Sequence, residues 1–170
     1  MFNFLKSIDY AVWISIIGGL KWLYEYSKSN IWAKNRYLAE RIDIFYAKDS
    51  VKTVQRLLDW NASDLIINDK SVTVDDEILY EALLTQNKKT AFNETEFAIR
   101  NAFDEFLDGL NELALLSECG LVDEKNLRKL IGYWLDILQG NRSNKPDKLI
   151  KQFREYMLYY GYDTIYGLIY

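Results

Sequence analysis

Three carboxylates stand four residues apart in the sequence: Asp104, Asp108 and Glu112. This spacing places them on one face of a helix, and Asp136 on the next predicted helix could join them. Four carboxylates on two helices can hold a divalent metal in carboxylate-bridged bundles. Those sites also use Glu-x-x-His, so the sequence favours a solvent-exposed acidic stripe balanced by neighbouring cations such as Arg100. We therefore predict no metal and no cofactor.

The absence of histidine limits the chemistry further, and Cys119 is the only cysteine. A chain without histidine cannot build Ser-His-Asp or Cys-His nucleophile systems, His-ligated zinc or the usual histidine general base. One cysteine cannot form a disulfide within the chain, which is consistent with a cytoplasmic location. We expect Cys119 to be a small buried side chain. The sequence also contains no phosphate loop, dinucleotide fingerprint or nucleophile elbow, so nothing in it supports an enzyme.

Helical patterns occupy most of the chain, which contains one proline and eight glycines. They predict an all-α fold with two domains: a long N-terminal helix over residues 1–47 and a compact helical bundle over residues 48–170. Bundle helices are expected at residues 49–60, 76–85, 93–120, 124–139 and 146–160. The segment 64–74 predicts either a short β-hairpin or an extended loop. The apolar tail, residues 164–170, should dock on its own bundle or on a neighbouring molecule.

The run 10-YAVWISIIGGLKWLYEY-26 raises the question of a membrane span, which needs roughly 20 mainly apolar residues. Trp13, Trp22 and Tyr24 would form an aromatic belt at the membrane interface, which Lys21 could reach with its long side chain. More Lys and Arg follow the run than precede it, so the positive-inside rule predicts a single-pass protein of the bacterial inner membrane with a cytoplasmic C-terminal domain. A buried core helix and an amphipathic surface anchor remain the alternatives. A cleaved signal peptide is disfavoured because no small-residue cleavage site follows the run.

A stripe of small residues in the same run indicates self-association. Ala11, Ser15 and Gly19 are spaced four apart, and such a stripe lets helices approach closely in lipid. We therefore predict a homo-oligomer that uses this face, with the lipid bilayer and further copies of the chain as partners.

An arginine and a tyrosine near the C-terminus are the weak catalytic candidates. Arg154 precedes Tyr159 by five positions in 154-REYMLYYGY-162, and the spacing resembles the Arg–His signature of HEPN ribonucleases. Tyrosine replaces the histidine and, with a pKa near 10, is a poor base at neutral pH. One interpretation is a degenerate HEPN-like module that binds RNA or cleaves it weakly. The other is an arginine that pairs with a carboxylate beside packed tyrosines.

Several segments resemble an uncharacterised bacterial family that combines an N-terminal membrane helix with a cytoplasmic helical domain. The segments are 57-LLDWN-61, 94-ETEFAIRNAFDEFLDGLNEL-113, 119-CGLV-122, 131-IGYWLDIL-138 and 153-FREYMLYYGYDTIYGL-168. The layout is also similar to the membrane-anchored, HEPN-like accessory proteins of type VI-B CRISPR–Cas systems, whose N-terminal helices assemble into a pore. Arg154 matches the arginine of their motif, and Tyr159 departs from the histidine.

These resemblances imply a membrane-anchored antiphage effector that acts by oligomerisation and membrane perturbation, with a protein or RNA partner on the bundle. A soluble helical oligomer that buries residues 10–24 between subunits, and acts as a binding module, is the remaining alternative.

Overall fold

Most of the chain is helical, as the sequence predicts, and a short two-stranded sheet is the exception. The computed structural model describes the backbone of residues 2–67 and 69–170, and the side chains of residues 15–67 and 69–170. These residues form seven helices and two strands. In chain order they are α1 (Phe2–Ala47), α2 (Asp49–Asp59), β1 (Ala62–Ile67), β2 (Lys70–Asp75), α3 (Asp76–Ala82), α4 (Glu94–Glu118), α5 (Glu124–Gln139), α6 (Asp147–Tyr160) and α7 (Asp163–Ile169).

The prediction that the N-terminal run crosses the inner membrane is wrong. Helix α1 is 46 residues long, but among the residues that the structure describes no helix combines the length and the apolarity that a bilayer crossing demands. The reason lies in the run itself. Lys21 interrupts it, and Glu25 and Lys28 follow closely, whereas a span needs roughly 20 mainly apolar residues.

The chain divides into two compact units within α1: one unit ends at Tyr37 and the other begins at Leu38. The sequence predicts this boundary after residue 47. It lies earlier because Leu38, Ile42 and Phe45 are buried in the core of the bundle. The C-terminal end of α1 is therefore part of the bundle.

Helix α4 is the central helix of the bundle and packs against α2, α3, α5 and α7. Its side chains Ile99, Phe106 and Leu110 are completely buried. A capping box fixes its first turn: the Asn93 side chain accepts a hydrogen bond from the Glu96 N–H, and the Glu96 carboxylate accepts one from the Asn93 N–H. Such a cap is worth about 1 kcal/mol, and the helix start predicted at residue 93 is confirmed.

A glycine in the middle of α4 lets the end of α1 approach the α4 backbone. A Cβ atom on Gly109 would lie only 2.5 Å from Cδ2 of Phe45. The Phe45 ring also packs on the Phe106 ring, with 5.7 Å between their centroids. Arg41, one turn before Phe45, forms an ion pair with Glu112. This end of α1 is therefore held by close packing and by charge.

The segment predicted as a hairpin or a loop is a hairpin. Strands β1 and β2 pair antiparallel, with Ala62 opposite Asp75 and Ile67 opposite Lys70. Asp69 adopts a φ of 61° in the connecting turn, a left-handed conformation that aspartate tolerates better than most residues. Leu65 on β1 and Val74 on β2 are buried, so one face of the hairpin covers the bundle core.

The C-terminal tail docks on its own bundle, which is one of the two outcomes predicted for it. Gly161 ends α6 with a φ of 77°, the left-handed conformation that glycine adopts at helix ends. The chain then turns into α7, where Ile165 and Ile169 are buried. The Ile165 N–H donates a hydrogen bond to Oδ1 of Asn111 at 3.0 Å, so α4 holds the tail in place.

Candidate interaction surface on the N-terminal helix

The most unusual surface of the molecule is the part of α1 that precedes the bundle. Every residue from 15 to 37 is exposed, although many of them are large and apolar. These large apolar side chains, each between 41% and 65% exposed, are Ile16, Ile17, Leu20, Trp22, Leu23, Tyr24, Tyr26, Ile31, Trp32 and Tyr37. Monomeric proteins rarely expose an apolar patch of this extent, and such patches mark interaction sites.

Part of this surface follows a seven-residue repeat. Ile17, Tyr24 and Ile31 are seven residues apart, and Leu20 lies three residues after the first of them. This spacing places the four side chains along one side of a helix. We call Ile17, Leu20, Tyr24 and Ile31 the heptad stripe. In the sequence, the same seven-residue step continues to Leu38 and Phe45, the α1 side chains that are buried in the bundle.

The charged residues of this part of α1 are mostly cationic. Residues 15–37 contain Lys21, Lys28, Lys34 and Arg36 against a single acidic residue, Glu25. Lys21 and Lys28 also follow a seven-residue step, immediately beside the heptad stripe. Water solvates the exposed cationic side chains of such a helix, whereas its exposed apolar side chains are stabilised when a partner covers them.

Aromatic side chains occupy the other side of the helix from the heptad stripe. The rings of Trp22 and Tyr26 stack, with 5.6 Å between centroids and 15° between planes. The Arg36 guanidinium lies over the Trp32 ring, 5.6 Å from its centroid. These contacts within α1 cover part of the aromatic surface. The side chains of the heptad stripe are not covered by any other described residue.

The residues predicted for oligomerisation and for the membrane interface lie on this helix. Ser15, Gly19, Lys21, Trp22 and Tyr24 are all exposed. A Cβ atom on Gly19 would have no neighbour within 4 Å, so in one chain this glycine does not serve a close approach.

Two further predicted residues, Ala11 and Trp13, lie in α1 but outside the residues whose side chains the structure describes.

The acidic stripe predicted on α4 is used to hold helices together. Asp104 Oδ1 accepts hydrogen bonds from the hydroxyl groups of Tyr156 at 2.6 Å and Tyr162 at 3.2 Å. Glu112 pairs with Arg41, and Asp136 pairs with Arg142 at 3.2 Å.

Within the described residues, no three carboxylates come close enough to hold a metal ion. Glu112 and Asp136 pair with cations, as expected, whereas Asp104 differs from the expectation because it accepts hydrogen bonds from two tyrosines.

The two tyrosines that bind Asp104 remain protonated to high pH. Burial, followed by the hydrogen bond to Asp104, raises the pKa of Tyr156 far above its ordinary value. Burial and the carboxylates of Asp104 and Asp108 raise the pKa of Tyr162. A neutral tyrosine is the form that donates to a carboxylate. These tyrosines are therefore structural donors and not general bases.

A buried arginine, which the sequence pattern does not single out as a core residue, organises the end of α3. Arg100 is only 7% exposed, and its Nη1 donates to the carbonyl oxygens of Ala82 and Leu84, both at 2.8 Å. Its Nη2 donates to the Tyr160 hydroxyl at 2.6 Å, and the Phe92 ring covers the guanidinium at 4.2 Å.

The carbonyl oxygen of Leu83, between Ala82 and Leu84, also accepts a hydrogen bond from a side chain that is distant in the sequence. Gln152 on α6 is buried and donates to the Leu83 carbonyl oxygen at 2.8 Å. Three consecutive carbonyls at the end of α3 thus receive hydrogen bonds from side chains of α4 and α6. The free carbonyls of a helix end need such partners when they are buried.

A buried lysine is a second core cation that the sequence pattern does not reveal. Lys145 donates from Nζ to the Trp60 carbonyl oxygen and to Asp76 Oδ1, both at 2.6 Å. Its side chain is 1% exposed. This lysine ties the loop before α6 to the end of α2 and the start of α3.

The two weak catalytic candidates, Arg154 and Tyr159, have different neighbours. The Arg154 guanidinium lies 4.3 Å from the centroid of the Tyr170 ring, and Tyr170 raises the pKa of Arg154. The Tyr159 ring packs edge-on against Tyr160 at 4.9 Å and is 47% exposed. Five positions in a helix separate side chains by about 140°, so the helix does not bring this pair together.

The prediction for Cys119 is wrong. Its side chain is exposed, because Cys119 is the C-terminal cap of α4 and the chain turns there at Gly120. Trp134 and Tyr156 are buried, whereas Trp60 is 66% exposed.

Comparison of the chain with protein-family models, with curated proteins and with solved structures finds no match in any of the three. The family resemblances therefore stay predictions, and the function has to be argued from the chain's own surface.

Proposed function

We propose that this protein is a self-associating assembly module whose copies bind one another through the exposed apolar surface of α1. The observation that supports this proposal is the exposure of large apolar side chains between residues 16 and 37. In this proposal the bundle, residues 38–170, is a stable head that each copy adds to the assembly.

The bundle does not need a partner to satisfy its interior. Its apolar side chains form one continuous core that includes Leu38, Ile42 and Phe45 of α1. Among the described residues, no buried side-chain nitrogen or oxygen is without a hydrogen-bond partner. Arg100 and Lys145, its most deeply buried cations, hold backbone carbonyls. These two buried cations are therefore engaged in the architecture of the bundle.

The preceding part of α1 is in the opposite situation. A side chain such as Ile17 or Leu20 contributes roughly 1.5–3 kcal/mol when it is moved from water into an apolar contact. Association costs roughly 4–15 kcal/mol of lost translational and rotational freedom. Covering several of these side chains on each of two chains is enough to offset that cost, whereas one isolated apolar residue is not.

A second copy of the chain is the partner that this surface supports best. Each copy offers the same mixture of aliphatic and aromatic side chains over the same length of helix, so two copies are matched in length and in hydrophobicity. Self-association through one repeated patch is also the commonest way in which soluble oligomers form.

The test is the mass of the full-length protein in solution over a range of concentrations, measured by sedimentation velocity. We expect a multiple of 20.1 kDa. Ile17, Leu20 and Leu23, changed together to glutamine, should convert the protein to a monomer with an unchanged bundle, checked by near-ultraviolet circular dichroism.

A matched control makes the same change at three exposed leucines of the bundle, Leu115, Leu121 and Leu158, which are 47–51% exposed. This control should keep the oligomeric mass. A wild-type protein that is monomeric at every concentration, or an oligomer that only the bundle variant dissociates, would contradict the proposal.

A further inference from the structure

We infer that the partner of α1 is a second copy of α1 that lies parallel to it and in register, with the heptad stripe as the seam. This inference rests on the proposed function and adds the orientation and the contact residues of the interface. Two observations on α1 carry it: the seven-residue repeat and the placement of the lysines.

The repeat assigns each residue a heptad position. Ile17, Tyr24 and Ile31 occupy position a, and Leu20 occupies position d of the first heptad. Apolar residues that repeat every seven positions wind helices around each other in a left-handed coiled coil. Isoleucine at a together with leucine at d favours two strands. Ser27 occupies position d of the second heptad and Lys34 occupies position d of the third. From Leu20 onward the apolar seam is therefore continued by the a positions, and it ends at Ile31.

The lysines decide the orientation. Lys21 and Lys28 occupy position e, whereas Ile16, Leu23 and Asn30 occupy position g. In a parallel pair each e residue lies beside a g residue of the other helix, so each lysine meets an uncharged side chain. In an antiparallel pair e residues lie beside e residues, so Lys21 and Lys28 of one helix would face the same lysines of the other. Residues at e and g set the orientation of coiled coils, and this pattern selects the parallel one.

Disulfide trapping tests the orientation. The exposed native cysteine is removed with Cys119→Ser, and Ile17→Cys and Ile31→Cys are introduced in separate proteins. A parallel, in-register pair brings each residue next to itself, within the short Cα separation that a disulfide requires. Both proteins should therefore form covalent dimers on mild oxidation. Ser29→Cys, at heptad position f on the far side of the helix, is the control and should not.

An antiparallel pair can trap at most one of the two positions, because only its central residue meets itself. Trapping at one position or at neither, in proteins whose reduced forms are still oligomeric by sedimentation, would overturn the parallel arrangement and leave the proposed function intact. A wild-type protein that is monomeric would overturn both.

Subunit mixing provides a second measurement that leaves the seam unchanged. Lys21 and Lys28 are both changed to glutamate, and this variant is mixed with differently tagged wild-type protein and refolded. In a parallel pair the changed residues face uncharged neighbours, so mixed dimers should form in the statistical proportion. A several-fold excess of mixed dimers would reveal lysine–glutamate pairs across an antiparallel interface and would overturn the inference.

Discussion

Two parts of one helix carry the same apolar repeat and have opposite surroundings. At residues 38–45 the repeat is buried: Leu38, Ile42 and Phe45 pack in the bundle core. At residues 17–31 the repeat is exposed along its whole length. The difference shows that an apolar pattern in a sequence predicts burial but does not identify which molecule covers it. The bundle buries the side chains of Leu38, Ile42 and Phe45, and we propose that another copy of the chain buries those of the heptad stripe.

The polar interactions inside the bundle explain how the bundle differs from the exposed part of α1. Its buried polar side chains are few and hold defined positions, since Arg100 and Gln152 bind the end of α3 and Asp104 receives two tyrosine hydroxyls. Buried polar groups contribute to stability only when they are fully paired. Residues 15–37 of α1 contain no buried side chain, and in our proposal a second copy of the chain provides the apolar contacts of this part of the helix.

The largest effect should come from breaking the polar interior of the bundle. Arg100→Met keeps most of the volume of the side chain and removes the donor of two carbonyls, those of Ala82 and Leu84. An unpaired buried acceptor costs about 1–3 kcal/mol, so we expect the free energy of unfolding in urea to fall by about 3 kcal/mol.

The matched control is Arg154→Met, which removes an exposed guanidinium that lies over one ring. This change should cost at most about 1 kcal/mol. An equal decrease in the free energy of unfolding of the two variants would mean that the bundle does not depend on Arg100. The contrast between a bundle with a fully paired interior and an α1 with an uncovered surface would then be unsupported.

A smaller effect should come from the buried end of the repeat, at the contact between Phe45 and α4. Gly109→Ala places a Cβ atom 2.5 Å from Cδ2 and 2.7 Å from Cε2 of the Phe45 ring, which is itself buried. The ring or the helix must move, and overpacking of this kind typically costs about 1–3 kcal/mol. The measurement is again urea unfolding of the full-length protein.

Gly132→Ala is the control for Gly109→Ala, since Gly132 lies within α5 and a Cβ atom there has no neighbour within 4 Å. Alanine should raise the free energy of unfolding by about 0.5–1 kcal/mol through helix propensity alone. If both alanines stabilised the protein, Phe45 would not be fixed against α4, and the buried half of the comparison would need revision.

The parts of the fold that the sequence predicts are those that local chemistry determines. The Asn93 cap and the stop at Gly161 follow from side-chain types within a few residues of each helix end. The docking of the tail on its own bundle is one of two predicted outcomes, and its contact with Asn111 is distant in the sequence. The hairpin is predicted only as an alternative to a loop, because its Asn-Asp turn supplies a weaker signal than a turn with glycine.

The contacts that organise the bundle could not be predicted in the same way, because their partners are distant in the sequence. Asp104 binds Tyr156 and Tyr162, which lie 52 and 58 residues later. Four-residue spacing on a helix suggests a local partner for Asp104, but tertiary packing provides a different one. Gly109 is an exception, because a glycine within a strong helix pattern often marks a place where another element packs closely on the helix backbone.

The candidate interaction surface could be predicted in part. Composition indicates that the start of the chain is apolar, and the three small residues Ala11, Ser15 and Gly19 suggest a face for the self-association that remains a prediction. The seven-residue spacing of the heptad stripe is present in the sequence, but only the structure shows that every residue from 15 to 37 is exposed. The assignment to a membrane failed because a count of apolar residues does not weigh the charges placed among them.

The smallest effect should come from the small-residue face of α1, and it separates the two faces on which copies could meet. Gly19→Ile fills open space in one chain, since a Cβ atom there has no neighbour within 4 Å, and isoleucine is the better helix former by a few tenths of a kcal/mol. If the heptad stripe is the seam, Gly19 at position c points away from it, and the dissociation constant from sedimentation equilibrium should stay unchanged. Leu20→Gln, one residue later and in the seam, should weaken association by at least about tenfold, as expected for the loss of about 1.4 kcal/mol of apolar contact. The reverse result, dissociation by Gly19→Ile and none by Leu20→Gln, would move the interface to the face of Ser15 and Gly19. The exposed half of the repeat would then need a partner other than a second copy of the chain.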